Sequence, residues 1–144
     1  MREVGASRVA SAGDVYRAYN DAENRQDHET MDSLLADDIE ITVNGVTAIS
    51  SAEGDAVAMA ALFEAYPDYR REILGIVEER TKAAVRWRMV GTPAGKIRDQ
   101  LGPLDLHGCS VVEVKEGKIS RAWLYSADGP IGKILALAAE KGAG

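Results

Sequence analysis

With 144 residues, the chain is long enough for one well-cored domain and too short for two. Its 17 Lys and Arg against 23 Asp and Glu leave a charge of −6, which excludes the basic footprint of a general nucleic-acid binder. A lone cysteine, Cys109, excludes an internal disulfide, and two distant histidines, His28 and His107, exclude an HExxH-type metal motif.

A first helix is predicted from Asp14, with Val15, Tyr16, Tyr19 and Ala22 on one side at helical spacing. A short second helix follows Asp27 with Met31, Leu34 and Leu35 as its apolar stripe. Ile39-Glu40-Ile41-Thr42-Val43 alternates with period two and reads as a strand, and Asn44-Gly45 is a hairpin-turn signal. A third helix is predicted from Ser51 to Tyr66, because Pro67 disfavours helical geometry in the residue before it. Four strands then follow, over 69–77, 83–90, 106–114 and 118–126, with a Gly/Pro-rich loop at 91–103 and a hairpin turn at Glu116-Gly117. A last helix is predicted over 131–139.

Helices grouped ahead of hairpin-linked strands imply an α+β domain, its curved antiparallel sheet wrapped over the helices as a cone that can hold a ligand. One domain is expected over residues 1–144, with 1–12 and 141–144 frayed. The longest apolar run, Ala56 to Phe63, falls far short of the roughly 20 residues of a membrane span. The first residues lack the basic-then-apolar layout of a signal peptide, so a cytoplasmic protein without membrane or nucleic-acid partners is expected.

The residue with most chemical information is Glu64. It is the lone charge between Ala56 and Tyr66, and Val57, Ala60 and Ala61 share its helical stripe. A carboxylate desolvated in this way is poised as a general acid; the alternative is that it reaches to the surface at the helix end. Asp37-Asp38 stands at the entry to the first strand, either as a solvated turn or at the mouth of the cone. Asp38 is in register with Glu40 and Thr42, so its face depends on whether a bulge opens the strand. Asp128, in Asp128-Gly129-Pro130, is either a turn residue or an acid at the strand's end. Trp87, Trp123 and Tyr125 lie at strand spacing as core or pocket lining. Asp105 and His107 share a strand face, as a possible acid–base pair or as hydrogen-bonded structure. The chemistry expected is therefore carboxylate acid–base work with no metal and no cofactor.

The segment Phe63-Glu64-Ala65-Tyr66-Pro67-Asp68, the pattern Trp87…Gly91-Thr92-Pro93-Ala94-Gly95, and the ending Glu116-Gly117-Lys118-Ile119…Trp123…Asp128 resemble SnoaL-like proteins. The likeness runs over nearly the whole chain from residue 12 and implies the NTF2-like (cystatin-like) cone. That family includes polyketide cyclases, anthracycline hydroxylation proteins, limonene epoxide hydrolase-like enzymes and non-catalytic binding modules. The pairing of Asp38 with Glu64 resembles the epoxide-opening cyclases of polyether ionophore pathways, of the monensin type. It implies Glu64 as acid, Asp38 as base, and Tyr19, Trp87, His107, Trp123, Tyr125 and Asp128 as substrate-binding residues. The substrate would be a small-molecule polyepoxide of polyketide origin, opened to cyclic ethers. The alternatives are aldol ring closure centred on Asp128, as in polyketide cyclases of the family, or a non-catalytic ligand-binding or modulator subunit. The family resemblance also implies a homodimer, with a paralogous partner subunit as a further option.

Overall fold

The computed structural model describes residues 10–95 and 98–127; the helix predicted over 131–139 lies outside them. Helix α1 spans Ala12–Asn24 and starts where the Ser11 hydroxyl accepts the Asp14 N–H while the Asp14 carboxylate accepts the Ser11 N–H. Helix α2, His28–Ser33, is capped by Asp27, which accepts the N–H and hydroxyl of Thr30. Helix α3, Ala52–Ala65, is capped by Ser51 and ends as Tyr66 turns extended ahead of Pro67.

The strands are β1 (Leu35–Val43), β2 (Val46–Ile49), β3 (Arg70–Glu78), β4 (Lys82–Gly91), β5 (Leu104–Lys115) and β6 (Lys118–Ser126). They form one sheet in the order β2-β1-β6-β5-β4-β3. All neighbours are antiparallel except β1 and β6, which run parallel. The sheet is therefore mixed rather than purely antiparallel as expected, because the helices carry the chain from its first strand back to a sheet whose last strand pairs beside it. Asn44-Gly45 and Glu116-Gly117 both hold positive φ, the twist a two-residue hairpin needs; the first creates β2, a strand the alternation pattern did not resolve.

Single extra residues interrupt the ladders: Ala48 on β2, Leu74 on β3 and Ser120 on β6. Each such bulge bends its strand and tightens the twist, curving the sheet over the helices. The inner face carries Val85, Trp87, Met89 and Val112, packed against Val15, Tyr16 and Ala22 of α1 and Leu62 of α3. Burying each large side chain of this kind contributes about 1.5–3 kcal/mol. Trp87 lies over Gly108, where a Cβ would sit 2.2 Å from its ring. No helix among the described residues is long and apolar enough to cross a membrane.

Candidate active site

Between α1, α3 and the concave side of the sheet lies a cavity of about 110 Å³. Its walls are Leu35, Ile39, Ala58, Leu62, Met89, Val112, Ile119 and Ala122, and the half-buried Ile41, Val43, Met59 and Leu124 stand at its mouth. The polar groups gather on α1 and its neighbours: Tyr16, Tyr19 and Glu23 on α1, Asp55 on α3, Tyr69 and Arg71 at the start of β3, and Ser110 on β5. On α1 the three polar residues fall at i, i+3 and i+7, one stripe facing the cavity.

Two hydrogen-bonded groups result. In the first, Tyr19 donates to Asp55 Oδ2 at 2.7 Å. In the second, Glu23 accepts from Arg71 Nη2 at 2.9 Å and from the Tyr69 hydroxyl at 2.5 Å. Arg71 Nε donates to Asn20 at 2.6 Å, its main-chain N–H donates to Asn24, and both asparagines donate to its carbonyl oxygen. The Arg71 guanidinium also lies 5.1 Å over the Tyr16 ring. Tyr16 differs from the rest: its buried hydroxyl makes no hydrogen bond of ordinary geometry among the described residues, although the Ser110 hydroxyl lies near enough to lower its pKa. Ser110 instead accepts the Trp87 indole N–H at 2.8 Å.

The electrostatics separate the two carboxylates. Asp55 is only 4% exposed, and that burial pushes its pKa up from 3.8 to about 6. The Tyr19 hydrogen bond and the Arg71 charge oppose the rise, while Glu23 and Asp32 add to it. Burial is the largest influence on Arg71 and disfavours its charge, but Glu23 together with the surrounding Tyr16, Tyr69 and Tyr19 outweighs it and raises the pKa, so the guanidinium stays cationic. Burial likewise raises Tyr16, Tyr19 and Tyr69, which are neutral donors around neutral pH. The cavity thus holds one carboxylate able to titrate near neutrality, one ion pair, and one unengaged phenol. No group of three or more His, Cys, Asp or Glu among the described residues is placed to hold a metal ion.

Of the described residues expected from sequence to act on or bind substrate, Tyr19 alone lines this cavity. Glu64 is exposed. It lies nine residues beyond Asp55, about 180° around α3 at roughly 100° per residue, so it faces away from the stripe of Asp55, Ala58 and Leu62. Asp38 is exposed too, with its neighbour Asp37, and lines a polar groove with Glu40, Glu113 and Arg121. Asp38 sits where the β1–β6 ladder is irregular, between Leu35 and Glu40, and both it and Asp37 are exposed there rather than lining the cavity.

Trp87 is buried in the core rather than at the cavity. Trp123 and Tyr125 lie on the outer face of the sheet: the extra residue Ser120 reverses the alternation after Ile119, so Ala122 and Leu124 point inward. His107 is exposed on that outer face, and its strand neighbour Asp105 is engaged by Arg88, through two bonds of 2.9 and 3.0 Å. Asp128 lies outside the described residues. Sequence reasoning missed Asp55 and Glu23, although each carries a readable signal. Asp55 precedes Ala58 by three residues and Leu62 by seven, and Glu23 follows Tyr16 by seven, so both acids sit on apolar stripes.

A comparison with curated proteins finds no match. Among solved structures the chain is similar to a cystatin-fold protein from Novosphingobium aromaticivorans, at 25% identity over 81% of this chain and 98% of that one, with a TM-score of 0.69. A SnoaL-like polyketide cyclase from Agrobacterium tumefaciens has the same fold at 23% identity and a TM-score of 0.69, covering 94% of this chain and 100% of that one. So does an epoxide hydrolase of M. tuberculosis, described as LEH-like, at 18% identity and a TM-score of 0.67, covering 87% and 89%. Residues 16–122, from the cavity tyrosine on α1 to the inward-facing alanine on β6, match the SnoaL-like domain, and the chain belongs to that family.

Proposed function

We propose that the protein is a cofactor-independent acid–base enzyme that acts on a carbon acid: it takes a proton from the carbon beside a carbonyl group and closes a ring by aldol addition. The observation that carries this reading is the buried Asp55–Tyr19 pair sharing one cavity with the unengaged Tyr16 hydroxyl. Asp55, with a pKa of about 6, is mostly ionised at neutral pH and acts as the base. As the C–H bond breaks, its electron pair moves onto the carbonyl oxygen, and Tyr16 donates a hydrogen bond to the enolate. The enolate carbon then attacks a second carbonyl, and Asp55 returns the proton to the alkoxide so formed. The substrate is a neutral polyketide-like carbonyl compound: the walls are apolar and the cavity encloses about one ring's volume, leaving a longer chain to extend through the mouth.

Epoxide opening needs two groups in opposite protonation states. In this cavity the second carboxylate, Glu23, is committed to Arg71 and Tyr69. The Asp38–Glu64 pair therefore represents a separate reading, of epoxide cyclisation in polyether biosynthesis, and one experiment distinguishes the two. Deuterium exchange into α-tetralone and opening of styrene oxide are followed for wild type, D55N, Y16F, D38N and E64Q. On the first reading D55N lowers ketone exchange by about 10²–10⁴-fold, Y16F by roughly 10²-fold, and D38N and E64Q leave it unchanged. Epoxide opening that survives in D55N and vanishes in D38N or E64Q would overturn it in favour of the second.

We also propose that a second copy of the chain covers the outer face of the sheet. Thr42, Trp123, Val111, Ala84 and Val77 stand side by side across five strands there, with Val77 78% exposed and Tyr125 beside them 49% exposed. The next row, Glu40, Arg121, Glu113 and Lys82, alternates in charge, which suits pairing with itself about a two-fold axis.

A further inference from the structure

Asp55 lines two hollows. One is the cavity; the other is a crevice of about 10 Å³ between α2 and α3, bordered by His28, Met31, Asp32, Leu35, Ala52 and Ala56. The crevice exists because α3 presents alanines at 52 and 56, on either side of Asp55, where larger residues would close the gap to α2. Its rim is wet: His28, Asp32 and Ala56 are exposed. His28 is steadied edge-on against the Phe63 ring at 5.4 Å. The volume suits about one water molecule, which needs two or more polar partners, and the lining offers three in Asp55, Asp32 and His28.

The cavity side of Asp55 is different. Apart from the three tyrosines, Glu23, Arg71 and Ser110, it is apolar, and a bound substrate would exclude water from it. A base that removes a carbon-bound proton there has no solvent contact through the occupied mouth. We propose that the α2–α3 crevice is the route by which Asp55 exchanges its proton with solvent, through one water bridging it to Asp32 and His28. The proton passes from the Asp55 carboxyl to the water while a proton of that water passes to Asp32 or His28 and on to bulk. The charged and titratable groups facing Asp55 are Tyr19 and Glu23 from α1, His28 and Asp32 from α2, and Arg71 from β3. Of these, only the α2 pair is exposed. The functional use of the route rests on Asp55 being the base proposed above; the route itself does not.

The test needs no turnover. The Tyr19 hydroxyl proton, bonded to Asp55, is followed by NMR in the ligand-free protein and its exchange with water measured by saturation transfer. A56L from α3 and H28L from α2 each close the crevice from an exposed position, while V43W narrows the mouth; an unchanged amide spectrum establishes folding for each. Either plug is expected to slow exchange by roughly tenfold, with V43W leaving it within about twofold. Slowing by V43W as large as that by the plugs, or no slowing by the plugs, would overturn the proposal. If D55N keeps full ketone exchange while A56L still slows the hydroxyl proton, the catalytic reading fails and the route stands. If D55N is inactive and the plugs change nothing, the route alone fails.

Discussion

Asp55 combines three conditions that a carboxylate rarely meets together: burial, one hydroxyl donor, and a like charge on Glu23 nearby. Each has a thermodynamic consequence beyond the reaction. With its pKa raised from 3.8 to about 6, the folded protein binds more protons at Asp55 than the unfolded chain between those values. That contribution is fully present below about pH 4 and is lost as the pH rises through about 6, to the extent of about 3 kcal/mol. Thermal unfolding of wild type and D55N between pH 4 and 7 is expected to give a difference that moves in favour of D55N as pH rises. A difference that is flat with pH would show that Asp55 ionises in the fold as it does in the unfolded chain. The comparison isolates this residue from Asp27, Asp68 and Asp105, whose pKa values the fold lowers, through hydrogen bonds from Thr30, Thr92 and Arg88 respectively, and which pull stability the opposite way. Glu64 shows how far residue-level reading goes. Its apolar neighbours in sequence were plain, but α3 is apolar on nearly all sides, and only the packed face tells which acid is desolvated.

At the scale of elements, α1 and β3 are joined by polar groups rather than by apolar contact alone. Glu23, Asn20 and Asn24 on the helix engage both the side chain and main chain of Arg71. The Glu23–Arg71 ion pair is 2.9 Å long with both side chains buried. Its net worth against an apolar pair is small, but breaking it leaves a buried charge uncompensated. E23L or R71M alone is expected to cost about 3–5 kcal/mol in chemical denaturation, and the double variant clearly less than the two losses combined. Additive losses would mean that the pair is not coupled. Arg71 also places Tyr16, since its guanidinium lies on that ring, so the same clamp orients the phenol assigned to the enolate. Elements themselves were largely legible: the starts at Asp27 and Ser51 and the stop at Pro67 are local signals that need no distant partner, while the Ser11 cap sets the first helix two residues ahead of the expected Asp14. Bulges were not. Ser120 has no distinguishing residue type, yet this single insertion turned Trp123 and Tyr125 from expected pocket lining into outer surface.

Over the whole molecule, the sheet divides the aromatic and charged residues between an inner cavity and an exposed outer face. Chains that pair through that face would bury the exposed Val77 and Tyr125 together with Trp123 and Val111. Sedimentation is expected to show a dimer at micromolar concentration, converted to monomer by W123D or V77D with the cavity and its pH dependence intact. A wild-type monomer under those conditions would refute the pairing.

Composition, capping and periodicity were enough to determine an α+β domain with its described helices and long strands in the observed order, β2 excepted, along with acid–base chemistry by carboxylates as the expectation. These are properties of local interactions, which a linear string records within a few residues. The parallel β1–β6 pairing, the faces taken after each bulge, and the meeting of Asp55 with Tyr19 across 36 positions of chain were decided only by tertiary structure. The physical reason is that desolvation belongs to a place and not to a residue. Glu64 and Asp55 share one apolar helix, and the side on which that helix meets the sheet decides which of them leaves water.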